Sequence, residues 1–184
     1  MTSLNIALVH HPVMNKRGEV IGSAVTNLDI HDIARAAKTY GVAKYYITTP
    51  YQDQQQLVRE LLAHWQTGHG ATYNPARKEA LSIVQLADSL EEVISCLTEK
   101  YGKRPLIVAT SAVFRENTIS YAQLSQRITH NEPVLLLFGT AHGLAAEILQ
   151  LTDATLPPIK GGTHYNHLSV RSAASIIIDR LLGS

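Results

Sequence analysis

Cysteine is almost missing from this chain, and several other scarce features narrow its class. A lone Cys96 cannot form an internal disulfide, so a disulfide-stapled secreted scaffold is excluded and the reducing cytoplasm is the expected setting. No apolar run approaches the about 18 residues that would argue for a membrane-spanning helix. The opening Met1-Thr-Ser-Leu-Asn lacks the basic-then-apolar pattern of a leader. Neither sign of charge dominates. Sixteen Lys and Arg against 15 Asp and Glu leave +1, which neither announces a nucleic-acid binder nor rules out a local basic patch. Gly18-x-x-x-Gly22 lacks the Lys-Ser/Thr that would complete a phosphate loop, and no Gly-x-Gly-x-x-Gly follows the first apolar run. A dinucleotide oxidoreductase is therefore a poor reading.

What is present fits one globular domain over residues 1–184. Hydrophobic residues make up 45% and charged ones 17%, enough apolar material for a real core. Leu4 to His11 reads as a buried strand stopped by Pro12, and Met14 to Val25 as an exposed, mobile loop. Thr26, Asn27 and Asp29 offer caps for a helix running to about Tyr40, whose apolar face is Ile30, Ile33, Ala34 and Ala37. His31 and Arg35, four residues apart, share a different face. A second strand follows at Ala43–Thr49. The next helix has Leu57, Val58, Leu61, Leu62 and Trp65 as its stripe, and then a polar loop runs to Lys78.

Ala80–Ala87 is predicted as a third strand, and Ser89-Leu-Glu-Glu92 as a capping box opening a helix that Gly102 closes. In that helix Cys96 lies among Val93, Ile94 and Leu97 and is expected in the core. Pro105–Ala109 is a fourth strand, ending at Thr110-Ser111. A short helix over 120–128 leads to a fifth strand at Val134. Continuous apolar strands alternating with helices predict a parallel α/β sheet covered on both faces.

Two loops late in the chain carry the most information. Val134-Leu-Leu-Leu-Phe-Gly-Thr-Ala-His-Gly-Leu144 is an apolar strand breaking into a glycine turn. Leu156-Pro-Pro-Ile-Lys-Gly-Gly-Thr-His-Tyr-Asn-His-Leu-Ser-Val-Arg-Ser-Ala-Ala174 is a strand, a long glycine-bearing loop and an apolar helix, Leu168–Leu182. Together with Asp29…Arg35-Ala-Ala-Lys-Thr-Tyr-Gly41, they resemble in order the three motifs of the trefoil-knot (SPOUT) RNA methyltransferases. Thr110-Ser-Ala-x-x-Arg115 is similar to a further loop of some members. The resemblance implies a Rossmann-like parallel sheet flanked by helices with a C-terminal deep trefoil knot, the knot and cofactor pocket lying at about 134–184. Such a knot is one of few exceptions to the unknotted rule.

The resemblance further implies S-adenosylmethionine as cofactor, RNA (tRNA or rRNA) as substrate and a homodimer. The acceptor is a base nitrogen or a ribose 2′-hydroxyl. Asp29 and His31 stand where ribose-methylating members usually carry Asn and Gly, and Thr140-Ala141 stands where Asn-Glu is frequent, so the acceptor stays open. Cofactor contacts are expected from Thr110, Ser111, Phe138, Gly139, Thr140, Gly143, Leu144, Leu156, Pro158, Ile159, Gly161, Asn166, His167, Leu168 and Ser169. Arg35, His31 and Ser169 are the catalytic candidates, although Ser169 equally suits a helix cap. Neither His164-x-x-His167 nor His10-His11 comes with a cysteine or carboxylate cluster, so no metal is expected. The alternative is a non-catalytic RNA- or protein-binding module that keeps the knotted fold.

Overall fold

A computed structural model describes residues 2–183 of the chain. The elements run β1 (Leu4–Val9), β2 (Val13–Met14), β3 (Val20–Ile21), α1 (Asn27–Thr39), β4 (Lys44–Thr48), α2 (Gln52–Gln66), α3 (His69–Tyr73), α4 (Pro75–Leu81) and β5 (Val84–Ala87). There follow α5 (Leu90–Tyr101), β6 (Leu106–Ala109), α6 (Tyr121–Thr129), β7 (Val134–Gly139), α7 (Ala146–Gln150), β8 (Ala154–Thr155) and α8 (Val170–Leu182). The main sheet has the order β5-β4-β1-β7-β6-β8, and every pairing in it is parallel.

Period-two alternation sends the central strands' side chains into two cores, one on each face. Leu4, Ile6, Leu8, Leu136 and Phe138 pack with α1, α6 and α8 on one side. Ala7, Val9, Leu135 and Leu137 pack with α5 and α7 on the other. The strand order reverses direction between β1 and β7. That is where a parallel α/β sheet opens a crevice at its carboxyl edge.

The last helix lies along the first. Arg171 reaches Asp29 at 3.6 Å and Asp32 at 3.7 Å, while Tyr40 donates to Asp179 at 2.7 Å, so α1 and α8 run parallel and are tied at both ends. Residues 154–156 are held from two directions. Asp153 N donates to Ile107 O and Leu156 N to Ala109 O on the β6 side; Thr155 N donates to Asn117 O and Ile119 N to Thr155 O on the other. Asp153 fixes the start of this segment by accepting from Arg104 Nη1 at 2.9 and 2.8 Å and from Ile107 N at 2.8 Å. Asp153→Ala leaves the Ile107 amide without its acceptor. The expected loss is about 1–2 kcal/mol of stability, read from the urea midpoint.

Several expectations need correction. Residues 14–25 are not a featureless loop: β2 and β3 pair antiparallel, and the Asn15 side chain closes their turn by accepting from Arg17 N and Glu19 N. The polar stretch 69–81 folds into α3 and α4, with the Asn74 side chain capping α4 and Pro75 in its first turn. Ala80 and Leu81 consequently end a helix, and the third strand of the expectation starts only at Val84. Ser89 caps α5 as foreseen, but the Glu92 carboxylate accepts from Asp88 N, one residue earlier than a capping box requires.

Leu57 is exposed rather than buried, because Gln55 and Val58 take the inward row of α2. Cys96 is exposed too, since α5 turns Leu90, Val93 and Leu97 inward. The final helix starts at Val170, and its outer face carries Ser172, Ser175, Asp179 and Arg180, so it is less apolar all round than expected. α7 was not foreseen, and the strand expected at Leu156 lies just before that residue, as the two-residue β8. No helix of the described residues is long and apolar enough to cross a membrane.

Candidate functional site

Parallel pairing brings the carboxyl ends of β1, β7, β6 and β8 to one edge, and the loops of the motifs leave from there. The turn after β7 is shaped by two left-handed residues, Ala141 at φ 51° and Gly143 at φ 106°. It is sewn to the β2–β3 hairpin, with His142 N donating to Met14 O and Met14 N to Gly143 O, both at 2.9 Å. Gly139 lets this turn close. A Cβ there would stand 2.9 Å from the Leu144 amide nitrogen and 3.1 Å from the Gly143 carbonyl carbon. Nothing lies within 4 Å of a Cβ built at Gly143, Gly161 or Gly162.

The loop after β6 begins with Thr110, whose hydroxyl donates to Leu137 O at 2.9 Å; Ser111 Oγ then accepts from Val113 N at 3.1 Å. Asn166 Nδ2 donates to Ala112 O at 3.1 Å and so closes the 156–169 loop against the 110–118 loop. Pro158 and Ile159 are half-buried, and the Pro157 carbonyl accepts from the Tyr121 hydroxyl at 3.3 Å.

The expected cofactor residues fall into three groups. Thr110, Ser111, Gly139, Thr140, Gly143, Pro158, Ile159 and Asn166 sit on loops leaving the carboxyl edge, where Asn166 bonds Ala112 and the 139–143 turn is held by the hairpin at Met14. Phe138, Leu144 and Leu156 are core residues, 1%, 6% and 1% exposed, so their side chains are spent on packing and only their main chain can face a ligand. Gly161, His167, Leu168 and Ser169 are exposed, with Tyr165 standing edge-on to His167 at 5.3 Å. Two shallow depressions of the surface lie away from these loops, one beside Thr2, Gly41 and Leu182 and one beside Tyr46, Leu62 and Cys96. The site is thus marked by converging loops rather than by a closed cavity.

The catalytic candidates are dispersed. Ser169 is the N-cap of α8, its Oγ accepting from Ser172 N at 3.2 Å. Arg35 is exposed and makes no ion pair with any described residue. His31 turns the other way. Its ring meets Trp65 edge-on at 5.5 Å, the Arg77 guanidinium covers the same indole at 4.6 Å, and burial followed by Arg77 lowers its pKa. The helix does carry both on faces away from the core, but His31 belongs to an α1–α2–α4 cluster. Arg171, quoted within the third motif without a role, joins the starts of the two motif helices, as Tyr40 and Asp179 join their ends.

The histidine pair diverges. His11 stands edge-on to Tyr51 at 5.6 Å, whereas His10 is fully buried with Nδ1 3.1 Å from Ser23 Oγ. Burial pushes the His10 pKa down to about 4, against a smaller upward pull from Asp29. Sequence reasoning weighed His10 only as a metal ligand beside His11, and passed over Ser23. The only available signal was a polar pair beside the end of a buried strand. Among the described residues no group of three His, Cys, Asp or Glu could hold a metal ion.

The converging turns fit an adenosine-bearing ligand. Open space over Gly143 and Gly161 admits it, and the Thr110, Ser111 and Asn166 polar groups suit a ribose or an adenine edge. The half-buried Ile159 offers an apolar face.

Solved structures share this fold. A probable methyltransferase from Bordetella pertussis superposes with a TM-score of 0.64 at 17% identity over 98% of this chain and 94% of its own. The SpoU methyltransferase AviRb from Streptomyces viridochromogenes, in complex with AdoMet, gives 0.60 at 16% identity over 97% and 56%. Sheet order and the crossovers define the parallel α/β fold that these proteins share. The match of residues 3–183 to the family model then sets the family: the chain belongs to the SAM-dependent RNA methyltransferases.

Among curated proteins, a tRNA (guanine-N(1)-)-methyltransferase from Oleidesulfovibrio alaskensis is 48% identical over 98% of this chain, and one from Nitratidesulfovibrio vulgaris is 45% identical. The chain spans only 42% of the length of each. An uncharacterized protein of Aquifex aeolicus is 41% identical over 96% of this chain and 86% of its own length.

Proposed function

We propose that this chain, as a single domain, binds S-adenosylmethionine in the turns at the carboxyl edge of β6, β7 and β8 and methylates tRNA. The observation that carries the reading is the Asn166–Ala112 bond, which folds the 156–169 loop onto the 110–118 loop, itself tied by Thr110 to Leu137 O in the strand that leads into the Gly139–Gly143 turn. Thr110, Ser111, Asn166 and the backbone at Gly139–Gly143 would hold the nucleoside part, and Pro158 and Ile159 would pack its base. When bound, the sulfonium would supply its methyl group to a nucleophilic atom of the RNA, the S–CH3 bond breaking to leave a neutral thioether, and an acceptor that carries a proton would release it. The chain's task is then chiefly in-line placement of the acceptor. The curated relatives suggest tRNA as substrate, and whether a base nitrogen or a ribose hydroxyl accepts is decided by mapping the labelled product.

The reading includes a trefoil knot. Its support is the position of residues 154–156 between β6 and Asn117–Ile119, two flanks of one loop. It also includes an isologous dimer built on α1 and α8, with the 60% exposed Leu28 two turns from Arg35 on the outer face of α1. Sedimentation showing monomer alone at micromolar concentration would count against the dimer. The fold-retaining binding module is the reading left if S-adenosylmethionine binds but no RNA is methylated.

Arg35 tests the acceptor side. An always-charged guanidinium can grip a phosphate through two hydrogen bonds, which a lysine does not reproduce. Arg35→Ala is expected to keep cofactor affinity while lowering labelled methyl transfer to a tRNA pool about tenfold, and Arg35→Lys to recover part of that. A normal rate from Arg35→Ala would make the arginine a mere surface residue.

A further inference from the structure

We propose that Ser23 and His10 are positioning residues for the cofactor turn, acting through a directed hydrogen-bond chain that also reaches the start of α1. This rests on the reading of the β7 turn as part of the cofactor site. Thr140 lies in that turn and its hydroxyl donates to the Val9 carbonyl at 3.0 Å. With its single proton spent, Thr140 Oγ1 can only accept from Ser23 Oγ, its close neighbour 117 residues earlier. Ser23, now a donor to Thr140, must in turn accept from His10 Nδ1 at 3.1 Å. The His10 carbonyl, 3.4 Å from Ser23 Oγ, is the weaker alternative for that proton. The chain of donors therefore fixes His10 in the Nδ1–H form and leaves Nε2 bare, and Nε2 is indeed buried with no partner among the described residues.

The direction matters because the turn does not hold its shape unaided. Ala141 at φ 51° is a strained position for a residue with a Cβ, so neighbours must impose it. One tie is the hairpin at Met14; the other is this chain at Thr140. Ser23 is itself pinned, its amide donating to His10 O at 2.8 Å. Two residues on, Val25 N donates to Gln54 Oε1 at 2.7 Å, and Thr26 caps α1. A shift of the cofactor turn would thus be felt at the entrance of the helix bearing Arg35, with neither His10 nor Ser23 touching the ligand.

The test uses the full chain with S-adenosylmethionine titrated by calorimetry and melting temperature followed in parallel. Ser23→Ala is expected to weaken affinity about tenfold, the effect of one lost hydrogen bond on a preorganised turn. His10→Asn and His10→Gln separate geometry from volume. The amide nitrogen of Asn falls near Nδ1 and that of Gln near Nε2, so Asn should retain affinity within about twofold and Gln should match Ser23→Ala. Wild-type affinity in Ser23→Ala, or equal losses in the two His10 variants, would overturn the proposal. Should a His10 variant fail to fold, Thr140→Val against Thr140→Ser reads the same chain, with loss in the first and retention in the second supporting it and equal affinities refuting it. Wild-type protein that binds no S-adenosylmethionine at all would overturn the cofactor assignment itself, and the proposal with it.

Discussion

Gly139→Val is expected to abolish S-adenosylmethionine binding and to destabilise the protein by about 1–3 kcal/mol, the cost of forcing extra carbon into a packed turn. The position cannot relax cheaply. The atoms that a Cβ would meet, the Leu144 amide nitrogen at 2.9 Å and the Gly143 carbonyl carbon at 3.1 Å, are main chain, and Leu144 Cγ waits at 3.1 Å behind them. A glycine that merely lined a slot would give a milder outcome, lost binding on an intact fold. The geometry instead makes Gly139 a closure residue whose replacement spoils the turn itself. Gly161→Ala is the contrasting case, since a Cβ there meets nothing within 4 Å, and its melting temperature should stay at the wild-type value. A Gly139→Val protein with unchanged denaturation midpoint and cofactor affinity would refute both the strain argument and the placement of the site.

Acid sensitivity is the second large effect. His10 has a folded-state pKa near 4, below the ordinary 6.5, because it is buried at the end of β1. Between those values the unfolded chain takes up a proton that the folded one refuses, so stability is complete above about pH 7 and is lost as pH falls through the window. The loss from this one group approaches about 3 kcal/mol by pH 4. His31, lowered by burial against Trp65 and by Arg77, adds to the loss with the same sign, and the Asp29 carboxylate acts on His10 in the opposite sense. Carboxylates also titrate at the acid end, so the informative quantity is a difference. Urea midpoints of wild type and His10→Asn followed from pH 7.5 to 4.5 should converge as the pH falls. Parallel curves would mean that His10 is accessible to protons in the folded protein.

The parts of the fold legible in the sequence are those with local causes. Ser89, Thr26 and Gly102 mark helix ends through bonds and backbone angles of their own segments, and the runs at 4–9 and 134–139 are apolar enough to be buried whatever surrounds them. Elements held from a distance were missed or misplaced. α3 and α4 are polar, and their place is set by Arg77 over Trp65 and by Gln66 donating to Leu81 O. β8 has two residues and exists because Asp153 and Asn117 grip its flanks.

The candidate site divides the same way. Its glycines and prolines could be picked out because turns need them. Strand order, which decides that these turns meet, is written in no local pattern and comes from the structure. His31 looked like a neighbour of Arg35 because helix spacing puts them together. Its indole partner lies in another helix, which no local pattern reveals.

The bonds joining α1 to α8 have a consequence for how the molecule is made. Tyr40 finds its acceptor on Asp179, 139 residues later, and Ile177, Ile178 and Leu181 complete the core that Ile30 and Ile33 begin. On the ribosome, the first helix therefore emerges long before its cover exists. Contacts of such separation close late and carry a large loop-closure cost. For most of its synthesis the nascent chain must keep a half-finished apolar face, and nascent-chain pull-downs should find this segment to be a chaperone client until the last helix arrives.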